Sequence, residues 1–184
     1  MSTTFPGTVI EATSLERGSS RRLFDGIFAT GGITLSQVSV MTGLEPYLIQ
    51  NWVKRGFLTS PSKRVYSKEQ FARIIIINML HNALQIDRIC SLVRIIGGAL
   101  EDTSDDLISD DELYHRYVDM LANDRIDMSD TASVTAAAET ATADFTEKLP
   151  NSKHQLIRIL EVMLYAHTAS KMQAEAQERL AALQ

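Results

Sequence analysis

The stretch LSQVSVMTGLEPYLIQNWVKRGFL, residues 35–58, leaves few folds open to this chain. Two helices that cross steeply through a short turn need a small residue on the first where the second passes over it, and Ser39 stands there. Four positions later the turn needs a positive φ, which glycine adopts without steric penalty, and Gly43 supplies it. Val38, Leu44, Ile49 and Trp52 fall at the steps that close a core from both sides. Pro46 suits the first turn of the second helix, where its missing N–H costs nothing. The pattern is that of a helix-turn-helix.

With Leu48, Ile49 and Trp52 turned inward, the second helix is expected to present Tyr47, Gln50, Asn51 and Lys54 outward. Amides, a phenol and a cation are groups that read base edges and grip phosphates in a major groove. The same face also fits ordinary solvated positions, with Lys54 and Arg55 set against the helix C-terminal dipole. Beyond it, Gly56-Phe57-Leu58 leaves the helix, residues 60–64 turn, and Val65-Tyr66 returns before Ser67 and Gln70 cap the next helix. This predicts a short hairpin tipped with Lys63 and Arg64, a wing whose cations sit at phosphates; a plain surface turn is the competing reading.

Residues 33–93 resemble the winged-helix domain of MerR-type transcription regulators. Gly43, Leu44, Ile49, Gly56, Phe57, Leu58, Pro61 and Tyr66 match that family's signature, and Arg73 in the following helix falls in register. The segments GLEPYLIQNWVKRGFL and LYHRY, with the acidic run between them, resemble more closely an uncharacterised bacterial family of MerR-like proteins, a domain of unknown function. The resemblance implies a winged fold and double-stranded DNA as partner, with no known ligand. The MerR recognition-helix arginine corresponds here to Gln50, and its two tyrosines to Asn51 and Trp52. The wing is shorter, and neither a long coiled-coil linker nor a cysteine-rich metal loop is evident, so heavy-metal sensing is not implied.

Charge is divided along the chain. Residues 1–100 carry 11 Lys/Arg against 6 Asp/Glu, a net of +5, whereas residues 101–184 carry 7 against 17, a net of −10. A basic front and an acidic back suit a polyanionic partner for the front alone. Four parts are expected: a disordered arm over 1–20, the winged domain over 21–98, an acidic linker over 99–108, and a helical dimerisation or effector module over 109–184. Leu23, Phe24, Ile27 and Phe28 give the first helix its apolar face, and Gly31-Gly32 stops it. Glu101, Asp102, Asp105 and Asp106 mark the linker, and a weaker idea makes them, with Asp110 and Asp111, an acidic cover for the wing.

In the last part, Ser109 with Glu112 and Ser152 with Gln155 have capping-box spacing. Val134, Ala138, Ala141, Phe145 and Leu149 predict a small-faced helix ended by Pro150. The final helix, from Ser152 to about Leu183, is apolar nearly all round in its first half, then thins to Met172, Ala176, Leu180 and Leu183. It offers a surface for a homodimer.

Other chemistry is not indicated. The single cysteine, Cys90, cannot form an internal disulfide and lies on an apolar helix face as a buried thiol. His81, His115, His154 and His167 are scattered, without metal-ligand spacing, and are expected at the surface or at a partner contact. The acids at 101–112 lack the glycine and offsets of a calcium loop. No apolar run reaches bilayer length and no secretory leader opens the chain, so the cytoplasm is the expected compartment. The reading is an all-α, winged helix-turn-helix protein that binds DNA as a homodimer, with no enzyme activity, cofactor, metal or membrane. A protein-interaction module and a small-ligand sensor on the same fold stay open beside it.

Overall fold

The computed structural model describes residues 3–97, 108–123, 126–147 and 149–183. The chain opens with strands β1 (Thr3–Thr4) and β2 (Glu11–Ala12), helix α1 (Ser19–Ile27) and strand β3 (Ile33–Thr34). Helices α2 (Leu35–Thr42) and α3 (Pro46–Lys54) follow, then strand β4 (Val65–Tyr66). Helices α4 (Lys68–Leu80), α5 (Ile86–Gly97), α6 (Asp110–Leu121), α7 (Thr131–Ala141) and α8 (Ser152–Ala181) complete it. The protein is mostly helical, with two small antiparallel sheets, β1–β2 and β3–β4.

Helix α4 is the centre. Ser67 and Gln70 form the expected capping box: the Ser67 hydroxyl accepts from the Gln70 N–H at 3.2 Å, and the Gln70 side chain accepts from the Ser67 N–H at 2.9 Å. Four consecutive isoleucines, Ile74 to Ile77, point in every direction around the helix, so it must be covered on every side. Helices α2, α5, α6 and α8 cover it, and all four isoleucines are buried. One hydrophobic cluster therefore runs through both halves, joining Phe24, Ile49 and Phe71 to Tyr114, Val134 and Leu160. The 99–108 linker of the sequence reading lies almost entirely outside the described residues, but the helices on either side of it share a single core.

Ion pairs tie the same halves together. Arg73 on α4 donates to both carboxylate oxygens of Asp110 on α6, at 2.6 and 3.1 Å, in a nearly dry setting. Arg21 on α1 bridges Glu112 and Asp119, and Asp119 also accepts from the Gly18 N–H at 2.7 Å.

The structure corrects several expectations. The arm over 1–20 is ordered from Thr3 onward: Phe5 and Pro6 are buried and β1 pairs with β2. Its anchors are distant in sequence, since the Tyr114 hydroxyl donates to Pro6 O at 2.9 Å and the Asn78 amide donates to Gly7 O at 3.0 Å. Gly7 sits so close to α4 that a Cβ there would lie 2.1 Å from the Ile75 carbonyl oxygen. Neither expected capping box in the last part forms. The Ser109 hydroxyl turns to Asp111, and Glu112 is drawn to Arg21 and Arg116. Helix α8 starts from Asn151 at φ 65°, the Gln155 N–H goes to Asn151 O at 3.0 Å rather than to the Ser152 hydroxyl, and the Glu147 carboxylate accepts from the Lys153 N–H.

Helix α7 ends at Ala141, well before Pro150. There the Thr142 hydroxyl folds back on Ala138 O, and Arg116 takes the Ala141 carbonyl at 3.0 Å. Phe145 and Leu149 thus fall outside the helix whose stripe they were assigned to, and Leu149 is half exposed. Two histidines are less superficial than expected, His115 buried and His167 half-buried. His115 is buried against Ser20 at 2.9 Å, because α6 is enclosed on nearly all sides, and His167 bonds the Tyr117 hydroxyl at 2.7 Å. Cys90 is buried, and burial pushes its thiol up.

Candidate nucleic-acid interface

Local chemistry sets the α2–α3 pair. The Thr34 hydroxyl accepts from the Gln37 N–H, and the Gln37 side chain accepts from the Thr34 N–H at 2.8 Å, a capping box that fixes where α2 begins. The sequence carried that signal in its Thr-x-x-Gln spacing. At the other end Gly43 adopts φ 71° and its N–H reaches Ser39 O. The Ser39 hydroxyl donates to Leu44 O at 2.5 Å, and the Thr42 hydroxyl takes the Leu44 N–H at 3.2 Å. The turn is thus bonded on both sides, and Val9 N–H to Met41 O at 2.9 Å adds a brace from the N-terminal hairpin.

Pro46 opens α3, and Ile49 and Trp52 are buried while Leu48 is half-buried. The helix closes at Gly56, φ 73°, with the Phe57 N–H bonded to Trp52 O at 2.9 Å. Tyr47 is 64% exposed, and Gln50, Asn51 and Lys54 are exposed beside it.

The following loop differs from the expected hairpin. Phe57 and Leu58 are spent on the core, and Pro61 has no N–H to give a ladder. Strand β4 pairs instead with β3, ahead of α2, in the register Ile33 to Tyr66 and Thr34 to Val65. The cationic tip is a tight turn over 62–65, closed by Val65 N–H to Ser62 O at 2.9 Å. Lys63 and Arg64 take φ 49° and 66°, left-handed values at both central positions, where glycine or asparagine is the usual choice. Each such residue stores on the order of 1 kcal/mol of steric strain.

The six residues singled out from the sequence, Tyr47, Gln50, Asn51, Lys54, Lys63 and Arg64, are all exposed. Gln50 and Arg64 are brought together: with Val53, Pro61, Leu35 and Tyr66 they line one open depression of about 350 Å³ between α3 and the turn. The sequence assigned none of the last four to a site, Pro61 and Tyr66 entering only as matches to the family signature, because only the β3–β4 pairing brings Leu35 and Tyr66 to this place. Among the described residues, Lys54, Lys63 and Arg64 form no ion pair, while Arg21, Lys68, Arg73 and Arg116 are committed to carboxylates.

Of the proposed acidic cover, Asp110 is engaged with Arg73 inside the fold. Glu101, Asp102, Asp105 and Asp106 lie outside the described residues. No group of three or more His, Cys, Asp or Glu suited to a metal ion occurs among the described residues. Among them, too, no helix is long and apolar enough to cross a membrane.

Comparison with curated proteins and with solved structures gives no match. Residues 33–117, just under half of the chain and running from β3 into α6, match the family described as "Domain of unknown function (DUF1836)".

Proposed function

We propose that this chain is a DNA-binding transcriptional regulator of the MerR-like, winged helix-turn-helix kind, acting in the cytoplasm as a homodimer. In this reading α3 enters the major groove, where Gln50 and Asn51 contact base edges. Tyr47 and Lys54 hold phosphates from the same helix, and Lys63 and Arg64 hold the backbone from the turn. The observation that carries it is the shared depression lined by Gln50 and Arg64, with Lys54 and Lys63 nearby in sequence and, among the described residues, no carboxylate paired with any of these cations. Strain at both tip residues supports the same reading, because a turn under no other demand would place glycine or asparagine there.

The dimer is supported by α8. From Lys171 to its end every residue is exposed, so the helix projects beyond the core by about 16 Å at 1.5 Å per residue. Val162, Tyr165, Met172 and Leu180 are exposed apolar groups along it, and exposed Leu183 follows just past its end. Two copies joined there would offer two α3 helices, and half-sites about one helical turn, ~34 Å, apart suit such a pair. The same apolar row favours a second reading, a protein-interaction module that holds a different chain. Selection of binding sites from random DNA by the purified protein tests the first reading. An enriched motif with two-fold symmetry supports it, and no enrichment leaves the interaction module.

A further inference from the structure

A second depression lies between the β1–β2 hairpin and α8, and it shares no lining residue with the one beside α3. We propose that it binds a small hydroxylated anion, a sugar phosphate or a sugar acid, through the Lys171 ammonium, the His167 imidazole and the hydroxyls of Thr3, Thr13 and Thr168. Its volume, about 480 Å³, lies within the range of small-molecule sites. Among the described residues no carboxylate lines it, and Lys171 forms no ion pair. The Glu16 carboxylate reaches Ser14 on the rim at 3.5 Å but is already paired with Arg22.

The imidazole is set as a donor. Burial holds the Tyr117 phenol well above its usual range, so it keeps its proton. Its partner among the described residues is His167 Nδ1, at 2.7 Å. In the proposed arrangement the phenol donates to that nitrogen, and the ring proton stands on Nε2. Burial and the neighbouring Lys171 ammonium push His167 down to about 4, so at neutral pH the ring is an uncharged N–H donor. An ammonium, an N–H and several hydroxyls, with no acid facing them among the described residues, suit an anion that carries hydroxyl groups. Leu15 and Leu121 add apolar wall for its carbon skeleton.

The wall is held in place before any ligand arrives. Tyr114 anchors Pro6, Asn78 anchors Gly7, and Val9 is bonded to Met41 at the end of α2. A preformed wall spares a ligand the cost of ordering it.

The test does not depend on DNA binding. The full-length protein, labelled with ¹⁵N, is titrated separately with ribose 5-phosphate and with gluconate, and ribose and inorganic phosphate serve as the two half-probes. The expected result is saturable shifts at the amides of Thr13, Thr168 and Lys171 with at least one acid, and the acid that acts distinguishes phosphate from carboxylate recognition. Lys171→Met should weaken that binding roughly tenfold or more, the loss of one charge-assisted contact. Its melting temperature should not change, because the Lys171 side chain is exposed and, among the described residues, forms no ion pair. Thr168→Val should weaken binding without that loss of charge. The proposal is overturned if neither acid moves these amides at ~10 mM, a concentration that reveals even millimolar affinity. Shifts that survive both substitutions, or ribose alone binding as well as the acids, overturn it equally.

Discussion

Replacing Lys63 by Asn and Arg64 by Gly should make this protein more stable and a poorer binder of DNA. The turn over 62–65 holds both residues at positive φ, 49° and 66°. A side chain with a Cβ costs about 1–2 kcal/mol in that region, and Asn-Gly is the pair such a turn prefers. Glycine returns part of the gain through the larger entropy of its unfolded chain, about 0.5–1 kcal/mol. The two side chains are exposed and form no ion pair among the described residues, so little packing is lost. The net expectation is a gain of about 1 kcal/mol, which for a chain of this length raises Tm by about 2–4 °C. Urea titration of the double variant beside the parent reads the first effect, and fluorescence anisotropy with a labelled duplex reads the second. Affinity should fall on every sequence alike, and the slope of log K against log salt should shrink by about two units. A variant that is less stable than the parent would show that these side chains brace the fold, and the strain argument would be wrong.

The buried pair Arg73–Asp110 gives a second expectation. Asp110→Asn strands a guanidinium in the core and should cost about 3–5 kcal/mol, whereas Arg73→Met with Asp110→Leu should recover most of it. Single variants within about 1 kcal/mol of the parent in urea titration would deny that α4 and α6 form one core. Acid should destabilise the fold through His115 and His167, both lowered by burial to about 4. Their folded forms stay neutral while the unfolded chain takes up protons below about 6.5, so the stability is whole above that pH. It is lost as pH falls toward 4, by up to about 1.4 kcal/mol per pH unit for each ring. His115→Gln should flatten the pH dependence of the urea midpoint, and an unchanged slope would count against it. Gly7→Ala should be far worse than Gly43→Ala in thermal melts, since its Cβ meets backbone at 2.1 Å while that of Gly43 meets only the Val9 methyl at 3.2 Å. Equal costs would contradict the seat described for the hairpin. Met172→Ser with Leu183→Ser should shift sedimentation toward monomer without lowering Tm in proportion, and no shift would remove α8 from the interface.

What could be read from the sequence was what short spacing determines. Ser39, Gly43, Pro46, Ile49 and Trp52 predict α2, its turn and α3 because each answers a demand made within a few residues. Ser67 and Gln70 predict the start of α4 for the same reason. The same spacing misled at Ser109 and Glu112, where a capping box lost to ion pairs with Arg21 and Arg116 that only the folded chain brings near. The N-terminal hairpin was illegible because its anchors, Asn78 and Tyr114, lie some seventy to one hundred residues away. The pairing of β3 with β4 was illegible because two-residue strands carry no periodicity. At the candidate interface the identity of the exposed polar residues was legible, and the depression that joins Gln50 to Arg64 was not.

The most direct measurement is the salt dependence of binding to a duplex selected by the protein itself, for the parent and for Lys54→Ala, Lys63→Ala, Arg64→Ala combined. The account predicts a steep loss of affinity with salt in the parent and a slope smaller by about three units in the variant, one for each phosphate released. It also predicts that Gln50→Ala keeps the slope and relaxes base preference. A parent that binds no duplex above background at low salt, or a triple variant with an unchanged slope, would contradict the claim that α3 and the 62–65 turn face DNA together.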